Sequence, residues 1–282
     1  MPLREFEGCR QRIRRAEEHY RALADLWSRF IEDEPYAPVV QIYEDGRGSI
    51  WVEPTYQNPP PAFALLVGEV LYHLRAALDS SVYASAIIET NSPIPPDPEK
   101  LEFPICASAD EFSRSNRKIA PLTDERWRIV ESVQPYNAPM LEADLAVFNF
   151  NRAIGILTDW ARKDRHRRLH VAGSWGHSGS AALRLPEGVR LVWLRNFASP
   201  LLLEQQSKVA VFKLEGYVPG MEVEAQPNLS IEIAIDEEPP PCAINDTLGN
   251  RLLAMIQATR FIVKSLDDSF MREGRVGPDP RS

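Results

Sequence analysis

The chain has 282 residues, 44% of them hydrophobic and 26% charged, which is ordinary for a globular protein and excludes collagen-like, mucin-like and wholly disordered chains. With 32 Lys and Arg against 40 Asp and Glu the net charge is −8, so the long-range field repels nucleic acid and anionic membrane, and any nucleic-acid contact must be local. Cys9, Cys106 and Cys242 are odd in number and far apart, which fits neither a disulfide framework nor a Cys-based zinc site; together with a charged N-terminus and no long apolar run this predicts a cytoplasmic protein with no membrane segment.

Apolar residues recur at helical spacing from Leu3 to about Glu34, among them Phe6, Ile13, Ala16, Tyr20, Leu23 and Trp27, and predict one long amphipathic helix. Pro35 and Pro38 end it. Val39 to Ile42 and Ser49 to Val52 flank Glu-Asp-Gly-Arg-Gly, the pattern of a β-hairpin. A second helix is expected from Ala62 to Ile88, apolar enough to be largely buried. The four prolines from Pro93 to Pro98 exclude helix there, and short helices follow near Asp110 to Asn116 and Thr123 to Val133. A third long helix is expected from Leu141 to about Arg168, with a basic end that complements the helix dipole. Beyond it, Leu183 to Leu185, Val189 to Leu194, Val209 to Leu214 and Leu229 to Ile235 read as an antiparallel sheet of about four strands. The last helix is predicted from Asn245 to about Phe270.

The expected fold class is therefore α+β: a helical core of about four long helices, a small hairpin and an inserted antiparallel sheet. The domain reading is 1–168 as helical core with the hairpin at 37–54, 169–241 as sheet insert, 242–272 as a helix returning to the core, and 273–282 as tail.

Two segments concentrate chemistry. Ala161 to His170 holds five Arg or Lys, two His and one Asp, and suits either phosphate binding or a solvated helix end. His166 and His170 lie four apart near Asp164, with His177 downstream, but flanking arginines repel a cation, so no metal site and no cofactor is expected. Gly176-His-Ser-Gly-Ser180 is read as a glycine-rich turn, because no helix pattern follows it as a nucleophile elbow requires. The second segment, Gly68 to Ser81, sets Glu69, His73, Arg75 and Asp79 in an apolar helix, where each needs a partner. Arg75 and Asp79, four apart, can pair along the helix, while Glu69, His73 and Ser80 share the opposite side.

The runs His73-Leu-Arg-Ala-Ala-Leu-Asp-Ser80, Gln134-Pro-Tyr136 and Asp164-Arg-His-Arg167 stand in this order, and the pattern resembles an uncharacterised bacterial family that carries Asn-Leu-Arg-Ser-Ala-Leu-Asp-His, Gln-Pro-Tyr and Asp-Lys-His-Arg. That helix is in turn similar to the Arg-x4-6-His signature of HEPN-type helical domains, many of which are metal-independent endoribonucleases acting as dimers. This chain has Ser80 where that signature has its histidine. The resemblance implies a HEPN-like RNA-binding protein or endoribonuclease in a bacterial defence or toxin-type role, with RNA and a second copy of the chain as partners. His73, Arg75, Asp79, Asp164 and His166 would be catalytic, and Arg162, Arg165 and Arg167 would bind phosphate. His166 or His73 would serve as general base, while Arg75 and Arg165 would stabilise the charge of the phosphorane. The alternative is a non-catalytic structural or interaction protein whose same residues form a buried polar network.

Overall fold

The structure is a computed structural model that describes residues 3–55, 60–138, 149–166, 174–197, 201–202, 206–233, 247–275 and 277–278; of residues 165–166, 174–181, 201–202 and 227–233 it describes the backbone alone. It is an α+β protein, as the sequence predicts. The helices are α1 (Glu7–Glu32), α2 (Ala62–Thr90), α3 (Ala109–Arg114), α4 (Asp124–Ser132), α5 (Phe150–His166) and α6 (Leu248–Glu273). The strands are β1 (Tyr36–Ile42), β2 (Arg47–Pro54), β3 (Ser174–Arg184), β4 (Arg190–Asn196), β5 (Leu201–Leu202), β6 (Ser207–Glu215) and β7 (Glu224–Ile233). No described helix is long and apolar enough to cross a membrane.

The chain divides into two compact units. The first comprises residues 1–24, 64–169 and 249–282 and is helical. On α1 the buried positions Cys9, Ile13, Ala16 and Leu23 fall on one stripe, as the helical spacing predicts. In α2 a face of Val67, Leu71, Leu74, Leu78 and Val82 is fully buried, and Ser81 and Ser85 turn their hydroxyls back to the carbonyls of Leu78 and Ser81 instead of leaving them unpaired. Ile154, Leu157 and Trp160 of α5 and Leu252, Met255, Ile256, Ile262 and Leu266 of α6 complete this core. The third long helix begins at Phe150; the expected stretch from Leu141 to Phe148 lies outside the described residues.

The second unit, residues 25–63 and 170–248, holds all the described strands. The hairpin expected with the helical core belongs here instead: β2 pairs along β6, and the sheet runs β1-β2-β6-β4, antiparallel throughout. The pairing satisfies the outer edge of β2 and buries Ile50 and Val52 against Val209, Phe212 and Leu214. Two glycines are required there. Gly46 turns at φ +77°, and a Cβ on Gly48 would stand 2.4 Å from the Phe212 ring. The expected single four-stranded insert is also corrected, since β3 and β7 pair over their length and, with β5, form a separate three-stranded sheet. The segment read as a glycine-rich turn, Gly176 to Ser180, lies within β3, where the register shifts between Ser178 and Ser180.

Candidate functional site

The ionisable residues of α2 sort onto two faces, as their spacing predicts. On one, Arg75 Nη2 reaches Asp79 Oδ1 at 2.9 Å along the helix, Glu102 Oε1 at 2.7 Å and the Phe103 carbonyl at 2.8 Å. Asp79 Oδ1 accepts the Phe103 N–H at 3.0 Å, and Lys118 Nζ pairs with Glu102 Oε2 at 2.8 Å. The network is electrically balanced and fastens the extended segment around Phe103, itself fully buried, onto α2. Burial pushes the Asp79 carboxyl above its ordinary range even though Arg75 and the Phe103 amide favour its charge. Burial acts the same way on Glu102, but Lys118 and Arg75 outweigh it and hold that carboxyl below its ordinary range.

Beside this network opens a cleft of about 170 Å³ lined by Arg75, Asp79 and Asp164 together with Leu71, Ala76 and Ala161. Asp164 sits on the backbone of α2, since a Cβ on Gly68 would fall 2.7 Å from its Oδ2. Burial, reinforced by the nearby Glu69 charge, raises the Asp164 carboxyl above its ordinary range. The sequence-derived residues Arg75, Asp79 and Asp164 thus share a cleft, and its charge is predominantly acidic.

His73 lies apart from them. Its ring stacks on His19 of α1 with centroids 5.5 Å apart and planes 10° from parallel, and it meets Tyr72 edge to face at 5.3 Å. Its Nε2 is 3.9 Å from Glu69 Oε2, too far for a hydrogen bond, and its Nδ1 is buried with no partner among the described residues. Burial, then the neighbouring His19, lowers its pKa against the pull of Glu69. One donor atom each from His19, Glu69 and His73 lies within 4.8 Å of the other two, a grouping able to hold a metal ion.

His166 ends α5, and its side chain, like that of Arg165, lies outside the described residues; Arg167, His170 and the side chain of His177 do so too. Arg162 is exposed and pairs with Asp159 at 3.6 Å. A further polar constellation, among the described residues, is one that local sequence reading misses. Arg126 of α4 is fully buried, pairs with Glu89 at 3.0 Å and Glu273 at 2.6 Å, bonds Thr123 Oγ1 at 2.7 Å and stacks on Phe270 at 3.7 Å. Arg275 also pairs with Glu89 and donates to the Ile88 and Glu89 carbonyls. Compared with family models, with curated proteins and with solved structures, the chain matches none.

Proposed function

We propose that this chain is a non-catalytic interaction protein and that the polar residues of α2 hold its fold together. The observation that carries this reading is the engagement of Arg75. Its side chain is only 12% exposed and is already bonded to two carboxylates and a carbonyl of the chain. A phosphate entering the neighbouring cleft would meet Asp79 and Asp164 and would have to displace Glu102 from the guanidinium. Like-charge repulsion and the loss of charge-assisted bonds both oppose that exchange. Interaction is supported by β4, which among the described residues is an edge strand and exposes Leu191, Val192 and Trp193. Apolar side chains on an unpaired strand edge suit pairing with another chain.

Purified protein is expected to leave a mixed RNA pool intact with and without Mg²⁺. Cleavage that disappears in His166→Ala or Arg75→Ala would overturn the proposal in favour of the endoribonuclease expected from the resemblance. Arg75→Ala should instead cost about 1.5–3 kcal/mol of unfolding free energy. The lower end is expected because Asp79 and Glu102 remain 36% and 46% exposed. Asp79→Asn should cost far less, since an amide oxygen still accepts the Phe103 N–H and the Arg75 bond. Equal losses in urea unfolding of the two variants would contradict this assignment of roles.

The first partner to test is a second copy of the chain. Light scattering at micromolar concentration should give twice the chain mass, and Trp193→Glu should reduce it to one. A monomer at every concentration would remove the self-association and leave β4 to a different protein.

A further inference from the structure

We propose that His19, Glu69 and His73 form a binding site for one divalent transition-metal ion of the zinc class, a function that goes beyond the reading above. The donor set is two imidazoles and one carboxylate, which suits zinc and its neighbours and disfavours Mg²⁺ or Ca²⁺, whose ligands are oxygens. Glu69 and His73 are four apart on α2 and come to the same side of one helix, while His19 faces them from α1. The site stands on the side of α2 away from Arg75, since two residues advance the helix by about 200°.

Three features favour an ion over a bare cluster. The two imidazoles stack nearly parallel without a hydrogen bond between them, so the contact offers the fold little beyond apolar packing. Neither nitrogen of His73 is satisfied by the described protein: Nδ1 is buried and unpartnered, and Nε2 is 3.9 Å from the nearest carboxylate oxygen. The local field is mixed and not prohibitive, because the charges of Arg12 and Arg15 that reach His73 are set against that of Glu69, and Arg15 is itself paired to Glu18.

Donor atoms up to 4.8 Å apart must close to roughly 3.3 Å around a tetrahedral ion with bonds of about 2.0–2.1 Å. Side-chain rotations of the order of 1 Å achieve that, and half-buried side chains on helix surfaces have room for them. Three protein ligands leave a fourth position for water. The neutral imidazoles donate lone pairs and the carboxylate supplies one negative charge, so the loaded site carries a net charge of +1. Bound metal would cross-link α1 to α2 and stabilise the folded state by mass action.

The test uses the full chain, freed of metal with a chelator and titrated with ZnCl2 by calorimetry and with CoCl2 by visible absorption. One equivalent should bind, Co²⁺ should develop the intense ligand-field bands of a four-coordinate ion, and Zn²⁺ should raise Tm. Loss of a direct ligand in His19→Ala or His73→Ala should weaken binding at least as much as the ~10–100-fold that loss of a supporting partner costs, and should abolish the Tm rise. The triple variant His166→Ala, His170→Ala, His177→Ala, which removes every other histidine, should bind as the parent does. If the His73 variant fails to fold, Glu69→Gln, at a side chain 42% exposed, gives the same readout. No stoichiometric binding, unchanged affinity in the His19 and His73 variants, or loss confined to the triple variant would each overturn the site. None of these outcomes depends on RNA cleavage or on self-association.

Discussion

Arg126→Ala should destabilise the first unit severely, with an expected loss of about 3–5 kcal/mol. The cause is the carboxylates left behind. Glu89 is 4% exposed and loses its 3.0 Å partner, retaining Arg275 as a cation and the Thr123 N–H as a donor at 3.3 Å, while Glu273 loses a 2.6 Å bond. The guanidinium carbon also lies over the Phe270 ring, 3.7 Å from its centroid, so its removal opens a space against a fully buried ring. Because Arg126, Glu89 and Glu273 stand on α4, α2 and α6, the site joins the ends of three helices that the chain contributes from remote places. A fall in Tm of roughly 10 °C is expected, from a few degrees per kcal/mol in a domain of this size. Arg126→Lys should lie between parent and Ala, since it keeps the charge but loses the planar stack and the fork. Arg126→Met combined with Glu89→Gln should recover part of the loss by removing the uncompensated charge with the cation. Additive loss in that double variant, or an Arg126→Ala protein that melts with the parent, would show that the network adds no stability.

What was legible in the sequence was local. The stripe through Ile13, Ala16 and Leu23 and the apolar body of α2 each follow from one element meeting one core, and the alternation of Leu229, Ile231 and Ile233 falls within strand β7, where its period places it. Pairing between β2 and β6 joins residues more than 150 positions apart, and nothing in either strand encodes its partner, so the sequence alone places the hairpin with the helical core while its pairing sets it in the second unit. The same division runs through the site. Arg75 with Asp79 and Glu69 with His73 are four apart and could be found on a helical wheel. His19 and Glu102, which complete the two groups, come from other segments. Arg126 was hidden for a different reason: between Asp124, Glu125 and Arg128 it reads as one more charge on a solvated face, and only the approach of Glu89 and Glu273 makes its burial tolerable.

The Gln-Pro-Tyr segment supplies the second large effect. Gln134 is fully buried and spends its amide on three backbone groups: Nε2 donates to the Pro104 and Val130 carbonyls, both at 2.9 Å, and Oε1 accepts the Cys106 N–H at 2.9 Å. Its own carbonyl accepts from Asn151 Nδ2 at 2.9 Å, which carries the link on to α5. Gln134→Glu keeps the shape and the bond from Cys106 but replaces two N–H donors by an oxygen facing two carbonyls. The protonated acid can donate to one of them, whereas the carboxylate repels both and is buried without a cation among these partners. The folded-state pKa of the introduced acid is therefore raised above its unfolded value of about 4.3. A group raised in this way is best tolerated below the unfolded value, and the variant loses stability relative to the parent as pH climbs through the raised one. At pH 7 the deficit should exceed about 3 kcal/mol, and it should shrink on acidification by up to about 1.4 kcal/mol per pH unit. Gln134→Leu, which leaves the Cys106 N–H and both carbonyls unpaired but adds no charge, should show a deficit of about 1–3 kcal/mol with no comparable slope. Urea unfolding of the three proteins from pH 7 down to about pH 5, each variant compared with the parent at the same pH, separates these outcomes. A Gln134→Glu deficit that stays flat across that range would show that the amide is not held between those carbonyls.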